Sequence, residues 1–134
     1  MIVADTNLVA YLLLDGEYTA KARRAFRRDP AWTAPLLWRS EFRNILAAYL
    51  RRKQLTLLDA LEVMREAEAL FFDAEYSVES GQVLKLASES GCSAYDCEFV
   101  VLAQQLGAPL VTSDREILAA FPQTAVALSE FGKA

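Results

Sequence analysis

Short apolar runs alternate with longer amphipathic ones along this chain, and that alternation limits the fold more than any other feature. Ile2-Val-Ala-Asp5, Trp32-Thr-Ala-Pro35, Phe71 to Tyr76, Pro109-Leu-Val-Thr112 and Thr124-Ala-Val-Ala127 read as strands. Between them lie helical stretches at 8–14, 19–28, 37–52, 56–70, 77–90, 93–106 and from Ser113 or Asp114 to Phe121. The third shows its period most clearly, with apolar residues at 38, 42, 45, 46, 49 and 50. Asp15-Gly16, Asp29-Pro30, Gly91, Gly107 and Pro122 are stop signals, and Thr56-Leu-Leu-Asp59 and Ser93-Ala-Tyr-Asp96 resemble capping boxes. Apolar strands this short, separated by helices, require a parallel sheet covered on both faces. The expectation is a compact three-layer α/β fold with four or five strands. No repeat, linker or composition break divides residues 1–134, so one domain is expected.

Composition removes several chemistries. The chain has no histidine, which excludes Ser-His-Asp triads, Cys-His pairs and His-ligated zinc. Two cysteines, Cys92 and Cys97, are too few for a disulfide scaffold or a four-Cys zinc site. Carboxylates, hydroxyls, Lys, Arg and Tyr remain, and carboxylates alone favour hard cations such as Mg2+ or Mn2+. The longest uncharged run, Phe99 to Ser113, is too short and too interrupted for a membrane span of ~20 apolar residues. The start, Met-Ile-Val-Ala-Asp, has no basic region of the secretory type, so a cytoplasmic location is expected.

Charge is segregated. The net charge is −4, yet residues 21–53 hold ten of the fourteen basic side chains against Asp29 and Glu41. That segment is +8 and the remainder −12. A basic lobe on an acidic body attracts a polyanion or an acidic partner, unless it is merely a pair of solvated helix faces.

Four acidic residues stand out against this background. In open parallel sheets the ligand site lies at the carboxyl ends of the strands, near the point where strand order reverses. Asp5 and Asp114 fall at or just past two such ends. Glu41 shares a helix side with Trp38, Phe42, Ile45 and Tyr49, where an unsatisfied carboxylate is costly. Asp96 lies in the first turn of its helix and either caps it or points into the cleft. Asp5 and Asp114 have the same bland alternative, a helix cap. Taken together, four clustered carboxylates need a counter-charge, which one or two divalent cations would supply. Thr112 is placed to orient a water or ligand, and Asn7 to hold Asp5. Arg39 and Arg43, one turn apart, are candidates for contact with substrate or partner.

Ile2-Val-Ala-Asp5-Thr6-Asn7, Ser40-Glu41, Ala94-Tyr-Asp96 and Leu110-Val-Thr-Ser-Asp114-Arg-Glu, in this order and spacing, resemble the PIN-domain ribonucleases, more narrowly the VapC-type toxins of prokaryotic toxin–antitoxin pairs. The likeness runs over essentially the whole chain. It implies a parallel sheet with helices on both faces, and Asp5, Glu41, Asp96 and Asp114 as an acidic metal-binding quartet with Thr112 as supporting hydroxyl. It also implies Mg2+ or Mn2+, RNA cleavage, a homodimer, and an antitoxin that blocks the site. A PIN-like module that binds RNA or protein without turnover is the alternative. Asp5-Thr-Asn7 also resembles the start of haloacid-dehalogenase-type phosphatases, but their second Asp is Asn7 here. A phosphate-accepting receiver domain fits only at Asp5. Trp38, Tyr49 and Phe72 are aromatic residues that either complete the core or lie at a contact between copies.

Overall fold

The computed structural model describes residues 1–133. Five parallel strands form one sheet in the order β3-β2-β1-β4-β5: β1 Ile2–Ala4, β2 Trp32–Pro35, β3 Glu75–Tyr76, β4 Leu110–Thr112 and β5 Ala125–Ala127. The register pairs Val3 with Thr33 on one side and with Leu110 on the other, and Val111 with Val126. Strands β1, β2 and β4 are buried at every residue, as a sheet covered on both faces requires.

Eight helices among the described residues surround the sheet. They are α1 Thr6–Leu13, α2 Thr19–Arg28, α3 Leu37–Arg51, α4 Leu57–Leu70, α5 Ser80–Ser90, α6 Ala94–Leu106, α7 Arg115–Ala120 and α8 Leu128–Phe131. Helices α1 to α4 pack on one another, while α6 lies on β1, β2 and β4 with α5 outside it. No helix among the described residues is long and apolar enough to cross a membrane. Helix α6 buries Cys97, Phe99, Val100, Val101, Leu102 and Ala103, so its middle is apolar on every side because that part is covered, while Tyr95, Gln104 and Gln105 near its ends are exposed. Both of its ends follow from local chemistry. The Ser93 hydroxyl accepts the Asp96 N–H at 3.0 Å, and Gly107 stops the helix at φ +63°. The two thiols are free and buried, Cys92 and Cys97 packing with Val83 and Val101 between α5 and α6.

Several elements differ from the sequence expectation, among them α1, which starts at Thr6 rather than Leu8. Phe71 is not strand: its fully buried ring ends α4 and lies 4.6 Å from the Trp38 ring, and Asp73 turns the chain at φ +56°. A left-handed residue cannot continue an extended ladder, so only Glu75 and Tyr76 pair with β2. Helix α5 starts at Ser80 rather than after Ser77. The short α8 was not anticipated, because four residues carry no readable period.

Strand order reverses at β1 and β4. From β1 the chain moves outward through β2 to β3, then returns to the other side of β1 and continues from β4 to β5. The carboxyl ends of β1 and β4 therefore border the crevice where ligands bind in such sheets.

Candidate functional site: an acid-lined cleft at the strand ends

Asp5 follows β1 directly and is the N-cap residue of α1, yet its side chain makes no capping bond. Its carboxylate instead accepts the Thr112 hydroxyl, with Oγ1 to Oδ2 at 2.6 Å. Thr112 is the last residue of β4 and completely buried, and its Oγ1 also accepts the Asp114 N–H at 3.0 Å. One hydroxyl thus joins the two strand-end acids across the switch point. Asp114 spends one oxygen on helix α7, its Oδ1 accepting the Glu116 and Ile117 N–H groups at 2.8 and 3.1 Å. Its helix-cap role and its place at the cleft coexist.

Glu41 comes from the second turn of α3. The buried Trp38 and Phe42 anchor that helix, which leaves Glu41 half-buried at the edge of the apolar stripe. The Thr6 hydroxyl donates to its Oε1 at 2.7 Å. Asp96 lies in the first turn of α6. Only half of the expected capping box forms, since Ser93 caps the Asp96 N–H while no bond returns from the Asp96 carboxylate to the Ser93 N–H. That carboxylate remains available to the cleft.

Electrostatics tie the four together. Burial pushes the Asp5 carboxyl above its ordinary pKa; the Thr112 hydrogen bond opposes this, and the charges of Asp96 and Asp114 add to it. Burial does the same to Glu41, countered by Thr6 and reinforced by Asp5, Asp96 and Glu98. Asp96 is raised by burial and then by Asp114, with Ser93 opposing and Glu116 adding. No Lys or Arg among the described residues forms an ion pair with any of the four. Asp5, Asp96 and Asp114 each stand at a helix start, where the partial positive charge of free N–H groups offsets some of the repulsion.

These residues fit a hard divalent cation by donor chemistry: all are oxygen ligands, mutually repelling and without a cationic partner. They do not form a closed cage, since no three acidic or thiol side chains among the described residues converge to enclose an ion. Mg2+ is commonly held through one or two carboxylates while keeping several waters, so an open arrangement suits it.

Two expectations are corrected here. Asn7 does not hold Asp5: it is exposed on the first turn of α1 and makes no side-chain hydrogen bond among the described residues. The polar support comes from Thr112 for Asp5 and from Thr6 for Glu41. Arg39 is not free for a ligand. Its Nε and Nη2 grip both oxygens of Glu75, and Nη1 donates to Glu68 at 2.8 Å. The pair ties α3 to β3 and α4, with the Trp38 indole N–H also donating to Glu75 at 2.7 Å. Arg43 is exposed and unpaired among the described residues. Sequence reasoning set Glu98 on another side of α6 from Asp96; it lines a separate depression with Leu36, Tyr76 and Val83, although its charge adds to the raised pKa of Glu41. Thr6 was missed, although it stands beside Asp5, because its partner is 35 residues away.

A parallel α/β sheet with an acid-lined cleft at its switch point defines the class, and the comparisons place the chain within it. The family model for the PIN domain matches residues 2–123. Ribonuclease VapC3 of Pyrobaculum aerophilum is 30% identical over 125 residues, covering 90% of this chain and 95% of the relative. The chain belongs to the PIN-domain family, in its VapC-type branch. The crystal structure of PAE2754 from Pyrobaculum aerophilum superposes with a TM-score of 0.77 at 21% identity, covering 98% of this chain and 92% of that one. A toxin–antitoxin complex from Klebsiella pneumoniae contains a chain that superposes with a TM-score of 0.65 at 17% identity, with coverage of 96% and 98%. At these identities the two structures establish the shared fold.

Proposed function

We infer that the protein is a metal-dependent endoribonuclease that hydrolyses RNA phosphodiester bonds, acting as one domain and as the toxin of a type II toxin–antitoxin pair. The observation that carries this reading is a set of four carboxylates that bear on one another, none of them in an ion pair with a Lys or Arg among the described residues. Asp5, Glu41, Asp96 and Asp114 would hold Mg2+ or Mn2+. A bound divalent ion supplies the missing positive charge and makes water a competent nucleophile near neutral pH. Thr112 fixes Asp5 and the turn into Asp114, and Thr6 fixes Glu41, so the carboxylates are held before substrate arrives. Without counter-charge the same carboxylates repel a phosphodiester. The name of the 30%-identical relative supports RNA as substrate. VapC-type membership supports a cognate antitoxin, and one structural neighbour comes from such a complex. A cytoplasmic location accords with an RNA target and is part of the same reading. Leu57, Leu58 and Leu61 at the start of α4 are exposed apolar residues, as is Phe72 beyond its other end, and they support a homodimer.

The test is cleavage of RNA by purified protein with Mg2+ or Mn2+ against excess chelator, with Asp96→Asn purified in parallel. Metal-dependent cutting lost in the variant is expected. Equal cutting by both proteins would expose a contaminant. Metal binding without cutting of any RNA offered would favour a binding module over an enzyme.

A further inference from the structure

We propose that helix α2, helix α8 and the turn around Asp114 form a track for the phosphate backbone of single-stranded RNA, leading from the acid cleft along the β5 side of the molecule. The proposal rests on the ribonuclease reading for the identity of its occupant, and it concerns a surface that lies outside the carboxylate quartet.

The track begins next to Asp114. Ser113 and Arg115, its two neighbours in sequence, line a depression of about 230 Å3 together with Lys21, Tyr18 and Ser129. A larger groove of about 730 Å3 follows, lined by Arg24, Arg27, Arg28, Gly132 and Lys133, with Glu130 as its single acid. The two are continuous in the chain on both walls: Arg24 is one turn beyond Lys21 on α2, and Glu130 follows Ser129 on α8. Lys21, Arg24 and Arg28 repeat at helical spacing, so these cations fall on one side of α2 over about 10 Å.

Packing holds these walls together. Gly132 lies so close to α2 that a Cβ there would meet the Lys21 carbonyl at 3.1 Å, and Arg24 Cβ at 3.7 Å. The Arg28 guanidinium donates to the Phe131 carbonyl at 2.9 Å and stacks over the Phe131 ring at 4.3 Å, which fixes it on the groove wall. The charges are otherwise little compensated. Glu130 pairs with Lys133 at 3.2 Å, whereas Arg24, Arg27 and Arg115 are exposed with no ion pair among the described residues. A cationic groove opening beside an anionic cleft suits a polyanion whose one reacting phosphate enters the cleft while its other phosphates lie outside. Such contacts position the strand without reading its sequence.

The experiment is binding of a labelled oligouridine in chelator, so that nothing is cut, at several salt concentrations. Wild type is compared with Arg24→Gln/Arg27→Gln, and Arg51→Gln/Arg52→Gln at the far end of α3 serves as control. Losing two phosphate contacts on a single strand lowers the slope of log affinity against log salt by about 1.4. Between 50 and 200 mM salt the variant should therefore lose roughly sevenfold less affinity than wild type. An oligoadenine should show the same change, because the contacts are to backbone, and an oligodeoxythymidine arm reports whether the sugar matters. An unchanged slope in a variant with native melting would overturn the proposal, as would an equal effect from the control pair. Weakened antitoxin binding with intact RNA binding would assign the surface to the protein partner instead. Failure of the ribonuclease reading is separable, since it shows as absence of cleavage with metal while the salt-dependent binding persists.

Discussion

The Thr112 hydroxyl donates to the Asp5 carboxylate at 2.6 Å while accepting the Asp114 N–H at 3.0 Å. A residue buried at the end of β4 thereby sets the position of acids that follow two different strands. Replacing Thr112 with Val keeps the shape but leaves a buried carboxylate and a backbone N–H without partners. Thr112→Val should lower stability by about 2 kcal/mol and reduce metal affinity or cleavage on the order of 10–100-fold. Thr112→Ser should restore most of both. Denaturant titration beside an RNA cleavage assay checks this, and full activity in the Val variant would refute the role.

Thr6 stands to Glu41 as Thr112 does to Asp5. Thr6→Val removes the 2.7 Å hydrogen bond to Oε1 and releases the Glu41 side chain. Metal affinity is expected to fall on the order of tenfold with little change in the overall fold. Isothermal titration with Mn2+ measures it, and an unchanged affinity would remove Thr6 from the site.

The acid cleft should make the metal-free protein less stable as pH rises. Asp5, Glu41 and Asp96 have folded pKa values raised above their ordinary values of 3.8, 4.5 and 3.8. A raised carboxylate favours folding when protonated, and that contribution disappears as pH climbs from the ordinary value through the raised one. Urea midpoints measured in chelator from pH 4 to 8 should therefore fall across this window, and added Mg2+ should flatten the fall. Asp5→Asn keeps an acceptor for Thr112 while removing the charge. It should melt higher than wild type in chelator and gain little from Mg2+. A variant that melts lower in chelator would show that repulsion is not the governing cost.

Arg39 and Glu75 carry the opposite sign. The hydrogen bonds from Arg39 lower the Glu75 pKa, with Trp38 also contributing. This contribution is complete above the ordinary value of 4.5 and is lost as pH falls through the lowered value. Arg39→Gln should cost about 2 kcal/mol at neutral pH, because the largely covered Glu75 carboxylate loses its cationic partner and keeps only the Trp38 N–H. The cost should shrink towards pH 3, and RNA affinity should be unaffected. Chemical denaturation at both pH values decides the first point.

Arg43 has no such partner. Arg43→Glu should leave stability within about 0.5 kcal/mol and weaken RNA or antitoxin binding. Unchanged affinity for both would exclude it from either interface.

Much of this architecture could be read locally. The Gly91 and Gly107 stops, the Ser93 cap and the buried Ile2-Val-Ala run all follow from neighbouring residues, and the structure repeats them. The third strand could not be read this way. Phe71 and Phe72 have strand propensity, but Trp38 draws Phe71 into the end of α4, and no local signal announces that packing. Asp5, Asp96 and Asp114 follow from strand ends and helix starts, and Glu41 from its place beside an apolar helix stripe, so the sequence alone nominates all four.

What the sequence determined is thus most of the elements and the acids they carry, because capping, periodicity and backbone preference act over a few residues. Only the tertiary structure decided which polar groups meet. Thr112 reaches Asp5 across 107 positions, Thr6 reaches Glu41 across 35, and Arg39 turns to Glu75 across 36. Asn7 and Arg39 looked available from sequence because a side chain's partner depends on strand order and on which helix packs beside it. Those are set when distant apolar faces are buried together, and they carry no signature in the residues on either side.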